Sequence, residues 1–167
     1  MNKMAQVTIQ PQAFDVAHEM ARLQGRDGRV GALCCFVGTV RDRHMRPDQP
    51  AEGASIQSLE LEHYPGMTER AIESMIDAAC ARFDILGVRI IHRVGVLAPL
   101  EPIVLVLVSS AHRGESFAAC EFLMDYLKTQ APFWKKEQTP EGARWVDARV
   151  SDDAALARWG IDASNAA

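Results

Sequence analysis

The chain has 167 residues, of which 48% are hydrophobic and 24% charged, and its formal net charge is −4 at neutral pH. This length can bury a core without disulfides or a structural metal, and the composition excludes wholesale disorder. The negative balance argues against a general binder of nucleic acid or membrane surfaces, so that any anion site must be concentrated in one place.

The sequence carries no sign of export or membrane insertion. No segment reaches the roughly 18 to 20 apolar residues of a membrane span, and the N-terminal stretch through Phe14 lacks the apolar centre of a signal peptide. We therefore expect a cytoplasmic protein. None of the four cysteines forms a CxxC pair, which predicts buried reduced thiols and no metal site. These cysteines are Cys34, Cys35, Cys80 and Cys120. We also expect no bound cofactor.

The first half of the chain alternates strands and helices. The predicted elements are a strand over 6–9, a helix over 14–23, a strand over 30–40, a long mobile loop over 41–55, a strand over 57–64 and a helix from about 68 to 84. The run from Val30 to Val40 is almost unbroken in its apolar character, which is typical of a central strand covered on both faces.

The second half continues the alternation. Strands are predicted over 88–97 and 103–109, and Pro99 and Pro102 between them favour a hairpin connection. A helix follows over 115–128 and stops before Pro132. Beyond it we expect a short strand over 144–148 and a frayed tail over 151–167. The order predicts an α+β fold of two layers, with the helices on one face of a mostly antiparallel sheet, and one domain over 1–150.

Three segments place cationic side chains at the ends of predicted elements. Arg41 directly follows a strand, where its guanidinium could grip a phosphate, although a lone arginine there is also typical of a surface loop. His112 and Arg113 precede a helix, and the free N–H groups of a helix start suit an anion. An ordinary turn explains these two residues equally well.

The third segment holds two lysines on either side of a proline. A chain reversal near Pro132 could bring Lys128 and Lys135 into one pocket with apolar walls, where a lysine can act as a nucleophile or in proton transfer. A solvated basic patch is the alternative. His63 and His92 are in phase with apolar neighbours, so that we interpret both as core residues.

Six short motifs together resemble a known family. They are FVGTVR at 36–41, LEHYPGM at 61–67, IHRVG at 91–95, SAHR at 110–113, DYLK at 125–128 and PFWKKE at 132–137. In this order and spacing they are similar to the large, catalytic subunits of molybdopterin synthase, the MoaE family. The resemblance runs from the first predicted strand to Arg149 and implies an α/β hammerhead core with an added small antiparallel β subdomain.

The resemblance also implies an activity and partners. Enzymes of this family convert cyclic pyranopterin monophosphate to molybdopterin by installing two dithiolene sulfurs during molybdenum cofactor assembly. The sulfurs arrive on the Gly-Gly thiocarboxylate of a small ubiquitin-like sulfur-carrier subunit. The large subunit forms a dimer with a small subunit at each end, a heterotetramer overall, so that a second copy could contribute an arginine or histidine to each site.

Residue by residue, the resemblance assigns Lys128 and Lys135 as catalytic. We expect Lys128 to be the more critical, through proton transfer as sulfur leaves the thiocarboxylate, and Lys135 to orient the substrate. The remaining residues implied are the substrate-anion site of Arg41, His112 and Arg113 and the pocket lining of Thr39, Val40, Lys136 and Glu137.

Two other functions fit some of the same residues. The first is a module that binds an anionic ligand or a partner's tail through the cationic pocket without chemistry. The second is a small nucleic-acid binder, which the acidic balance and the lack of a basic stripe disfavour.

Overall fold

The structure is a computed structural model that describes residues 4–43, 55–146 and 150–161. The motif-rich part of the chain lies inside these ranges, whereas most of the loop predicted over 41–55 lies outside them. The elements are β1 (Met4–Gln10), α1 (Val16–Gln24), β2 (Ala32–Thr39), β3 (Ser58–His63), α2 (Met67–Arg82), β4 (Ile85–Arg93), β5 (Gly95–Leu97), β6 (Pro102–Ser110), α3 (Arg113–Gln130), β7 (Phe133–Thr139), β8 (Gly142–Val146) and α4 (Val150–Ala157).

The first sheet has the strand order β1-β4-β6-β2. Its centre is the antiparallel pair of β4 and β6, both almost wholly buried, which confirms the predicted hairpin pairing of these two apolar runs. β2 pairs antiparallel with β6, and β1 pairs parallel with β4. Continuous apolar strands of this kind are stable only when both faces of the sheet are covered.

Helices cover the sheet on both faces. α2 and α3 pack on one face through a core that includes Ile76, Phe122 and Leu123, and α1 packs on the other through Leu23. The α+β class is confirmed by this arrangement. The expectation that all the helices share one face is wrong for α1, because Leu105 and Leu107 alternate with the residues that face α3 and need a cover of their own.

β2 is an edge strand, which corrects its prediction as a central one. No partner strand within the described residues covers its outer edge, and Cys35 and Phe36 are exposed there. The apolar run was the correct signal for a strand, but apolarity alone does not distinguish a strand buried in one chain from an edge strand. Of the four thiols predicted to be buried, only Cys120 is buried, whereas Cys34 and Cys80 are half-buried and Cys35 is exposed.

The second sheet is smaller and wholly antiparallel, with the order β5-β3-β7-β8. The single strand predicted over 88–97 is two strands, because Gly95 at the start of β5 adopts a φ of 85° and the chain crosses there to the second sheet. A separate small core of Val40, Leu59, Leu61 and Leu97 supports this sheet. The sheet is the added antiparallel subdomain that the resemblance implies.

The end of the described chain packs against the main hydrophobic core. The sequence predicted a frayed tail from residue 151, but α4 forms there, Leu156 is fully buried and the Trp159 ring packs against Phe83 and Phe122. The expectation of fraying is therefore wrong for this part, and the domain boundary at 150 stays a prediction. None of the helices in the described ranges is long and apolar enough to cross a membrane.

Candidate active site

Lys128 and Lys135 lie on either side of the chain reversal that joins α3 to β7. Lys128 is exposed in the last turn of α3, Ala131 leaves the helix with extended backbone, and Lys135 is exposed on β7. The reversal is anchored by Thr68, whose hydroxyl donates to the Pro132 carbonyl at 3.2 Å. The predicted break at the proline is thus present, and it brings both lysines to the junction of the two sheets.

The register of β7 divides its side chains between two faces. Phe133, Lys135 and Glu137 share the face that carries Leu61, because residues two apart on a strand point the same way. Glu137 is only 6% exposed, and its carboxylate accepts hydrogen bonds from the Arg144 guanidinium at 3.0 and 3.3 Å. Sequence reasoning missed Arg144, which holds Glu137 in place from β8.

Lys136 points to the opposite face of the second sheet. Its ammonium lies 4.0 Å from the Glu60 carboxylate and 5.5 Å from the centre of the Trp145 ring. Lys136 therefore has a different environment from Lys135, although the two are adjacent in sequence. Its place in the pocket lining stays a prediction.

Arg41 emerges from the end of β2 nearest the lysines. Val40 before it is 2% exposed, and its backbone N–H donates to the Glu101 carbonyl at 2.9 Å while its carbonyl accepts from Leu100 at 2.8 Å. Both backbone groups of Val40 are therefore engaged. These two hydrogen bonds hold the backbone directly before Arg41 in place. The side chains of Thr39 and Arg41, on either side of Val40, are both exposed.

His112 and Arg113 lie at the start of α3. His112 is the N-cap residue of the helix, and its side chain makes no capping hydrogen bond. Its carbonyl accepts a hydrogen bond from the Ser110 hydroxyl at 2.7 Å, and the Arg113 carbonyl accepts one from Ser116 at 3.0 Å. Both side chains are exposed, so that they face outward beside the free N–H groups of the helix start.

The predicted anion site is divided between two ends of the chain's first sheet. Thr39 pairs with Pro102 at one end of the β2–β6 ladder, whereas Ala32 pairs with Ser110 at the other. α3 returns across this distance, and its 18 residues span about 27 Å. One copy of the chain therefore brings Arg41 to the same end as the two lysines and leaves His112 and Arg113 at the far end.

A buried histidine that we interpreted as a core residue lies against this site. The His92 ring stacks on Phe133 with the ring centres 3.8 Å apart and an angle of 17° between the planes. Burial lowers the pKa of His92 to about 4, against the opposing effect of a hydrogen bond to the Arg93 carbonyl, and the nearby charges of Lys135 and His63 lower it further. His92 is therefore neutral at physiological pH.

Comparison with known proteins identifies the class. The family profile described as "MoaE protein" matches residues 9–130, which is most of the chain. Among curated relatives, "Molybdopterin synthase catalytic subunit" of Ralstonia nicotianae is 54% identical over 98% of this chain and 89% of its own. The protein of the same name from Escherichia coli K12 is 48% identical over 92% of this chain and 97% of its own.

Solved structures agree with these relatives. The molybdopterin biosynthesis MoaE protein of Burkholderia ambifaria matches with a TM-score of 0.78 and 54% identity, over 95% of this chain and all of that one. Molybdopterin synthase from Staphylococcus aureus matches with a TM-score of 0.71 and 27% identity, over 88% of this chain and 98% of that one. The chain belongs to the MoaE family of molybdopterin synthase catalytic subunits. The family, the enzyme class and the role in molybdenum cofactor assembly that the sequence predicted are thereby confirmed.

Proposed function

We propose that this chain transfers sulfur from the thiocarboxylated tail of a small ubiquitin-like carrier to cyclic pyranopterin monophosphate, twice per product, in the cytoplasm. The observation that carries the proposal is the presence of Lys128, Lys135 and Arg41 at one end of the first sheet, next to the second sheet. A solved structure of subunits 1 and 2 of a molybdopterin-converting factor from Helicobacter pylori is a protein–protein complex. At 21% identity, that likeness bears on the fold only.

The two lysines differ in their surroundings, which supports different roles. Lys128 ends a helix and is exposed, so that its ammonium can reach the carrier's thiocarboxylate and move protons as sulfur leaves. Lys135 is fixed on a strand between Phe133 and the buried Glu137, a position suited to orienting the pterin substrate. The carrier supplies the sulfur itself, so that no cysteine of this chain takes part.

The anion site needs a second copy of the chain. Arg41 and the pair of His112 and Arg113 are held at opposite ends of the β2–β6 ladder, too far apart to contact one phosphate from within one chain. In a symmetric dimer the far end of one chain can meet the near end of the other. We propose that each active site combines Lys128, Lys135 and Arg41 of one copy with His112 and Arg113 of its partner.

The outer edge of β2 is the surface that suits this arrangement. It is eight residues long, carries no charge and exposes Phe36, features that monomeric proteins avoid on an edge strand. Antiparallel pairing of two β2 strands about a two-fold axis would place the Thr39 end of one beside the Ala32 end of the other. Because Ala32 lies next to Ser110, this pairing directs Arg41 toward the partner's helix start.

A reconstituted assay tests the proposal. This protein is combined with a thiocarboxylated carrier and the cyclic pyranopterin precursor, and dithiolene formation is followed for the wild type and for Lys128→Ala. The matched control is Arg26→Ala, which removes an exposed cation on the turn after α1. We expect product from the wild type and the control and at least a 100-fold lower rate from Lys128→Ala, about the range of a lost proton-transfer group.

Two results would contradict this assignment. A near-normal rate with Lys128→Ala would remove the lysine from the chemistry. Carrier binding without any product from the wild type would favour the alternative of a binding module, in which the same cations only hold a ligand.

A further inference from the structure

The position of His92 is unusual for a core residue. It ends the row Val88, Ile90 and His92 on the face of β4 that packs against α2 and α3, and it is 7% exposed. The next residues lead through Gly95 into the second sheet. His92 therefore stands where the main core meets the proposed active site, and a leucine or valine would fill this row without any polar atom to satisfy.

The hydrogen bond of the ring fixes its tautomer. Nδ1 lies 2.8 Å from the Arg93 carbonyl oxygen. Because a carbonyl can only accept, Nδ1 must carry the proton, and in a neutral ring Nε2 is then an acceptor with a free lone pair. No group in the described ranges of the chain hydrogen-bonds this Nε2. A buried acceptor in that condition calls for an explanation, since such groups are nearly always paired.

Lys135 is a hydrogen-bond donor on the face of β7 that carries Phe133. Phe133 lies in contact with the His92 ring, and Lys135 follows two residues later on the same face of β7. The charge of Lys135 is close enough to influence His92, as is that of His63. His63 pairs with Phe133 in the β3–β7 ladder and lies 3.7 Å from the Glu69 carboxylate. A lysine ammonium has three donors and can place one on an imidazole nitrogen while it holds other partners.

We propose that His92 is a positioning residue for Lys135, and that its Nε2 accepts a hydrogen bond from the Lys135 ammonium when the site holds substrate. The bond fixes Nζ at the end of a flexible side chain, and the stack on Phe133 fixes the ring. This inference rests on the proposed function, because it assigns the bond to the step in which Lys135 orients the pterin.

Three substitutions separate this role from a structural one. His92→Phe keeps a flat ring over Phe133 but has no acceptor. His92→Gln loses the ring but carries an amide oxygen at about the place of Nε2, whereas the shorter His92→Asn reaches only the place of Nδ1. Thermal unfolding, kcat and KM for the pterin precursor are measured for each in the reconstituted assay, with the wild type alongside.

We expect His92→Phe to unfold near the wild-type temperature and to lose about 10- to 100-fold in kcat, as a misplaced catalytic group does. His92→Gln should recover part of this loss and His92→Asn none of it. In a Lys135→Ala background, His92→Phe should cause no further loss, since the two act as one unit. If His92→Phe also lowers stability, the test is the ratio of kcat with and without His92→Phe, compared between the wild-type and the Lys135→Ala backgrounds.

Equal kcat for His92→Phe and the wild type would overturn the inference, and so would full additivity with Lys135→Ala. The proposed function fails differently, because in that case the wild type itself makes no product.

Discussion

The Glu19 carboxylate on α1 accepts a hydrogen bond from Arg89 Nε on β4 at 2.7 Å, and both side chains are buried. Burial alone would raise the pKa of Glu19, but the hydrogen bond and charge of Arg89 outweigh it and hold the pKa below its ordinary value of 4.5. The pair joins α1 to β4.

Replacement of Glu19 by glutamine should lower the free energy of unfolding by about 3 kcal/mol at pH 7, because it leaves the buried Arg89 without its counter-charge. The pKa is lowered in the folded state, so that the pair stabilises the protein above pH 4.5 and loses this contribution as the pH falls through the folded pKa. Urea unfolding from pH 7 to 3 should show the difference between wild type and variant narrowing. Glu73→Gln, at an exposed site on α2, is the control and should unfold like the wild type.

Trp159 holds the C-terminal segment on the domain. Its ring packs edge-to-face on Phe83 and Phe122 at 6.0 and 5.5 Å, and its Nε1 donates to the Asp125 carboxylate at 2.8 Å. We expect Trp159→Ala to destabilise the protein by about 2 to 3 kcal/mol, somewhat below the cost at a fully buried site. Thermal unfolding of this variant and of Trp145→Ala measures the difference. Trp145→Ala removes a 55% exposed ring and should lower the stability far less. Equal effects of the two would mean that the segment does not dock in solution.

Gly31 sets how closely β2 approaches the turn between β6 and α3. A Cβ at this position would lie 2.3 Å from the Ala111 carbonyl oxygen, and backbone cannot yield as a side chain can. Gly31→Ala should therefore destabilise the protein by about 1 to 3 kcal/mol. At Gly28 a Cβ meets nothing within 4 Å, so that Gly28→Ala is the matched control and should be neutral or slightly stabilising. Chemical denaturation of both variants would measure the contrast.

The proposed composite site predicts complementation between two inactive variants. In a mixed dimer of Arg41→Ala and Arg113→Ala, one site carries both substitutions and the other carries neither. Random mixing in equal amounts then restores about a quarter of the wild-type sites, since half of the dimers are mixed and each has one intact site. The measurement is dithiolene formation after co-refolding or co-expression of the two variants. If the mixture stays as inactive as its components, Arg41 and Arg113 do not serve one site across the dimer.

Local pattern was sufficient for much of the fold. The apolar periodicity and the positions of the prolines predicted β4, β6, α2 and α3. For these four elements the local sequence pattern and the tertiary structure favour the same secondary structure. β7 was not predicted, since Lys135, Lys136 and Glu137 interrupt its apolar pattern. Its stability comes from pairing with β3 and β8, and β3 is distant in the sequence.

The site divides in the same way. Motifs identified Lys128, Lys135 and Arg41 because their chemistry is carried by residue type and spacing. The separation of Arg41 from Arg113 depends on the direction in which β2 pairs with β6, which no motif contains. The role proposed for His92 depends on its Nε2, which has no hydrogen-bond partner within the described residues. The sequence alone showed only that His92 is in phase with its apolar neighbours on a strand.

The length of α3 has one more consequence in the proposed dimer. The helix begins with Arg113 and carries Lys128 in its last turn. In the proposed dimer, one helix therefore supplies a cation to each of the two active sites. A tilt of α3 that brings Lys128 toward one bound pterin would also shift Arg113 at the other site. The two sites would then be mechanically coupled, and the first sulfur transfer at one of them would influence how tightly the second holds its substrate.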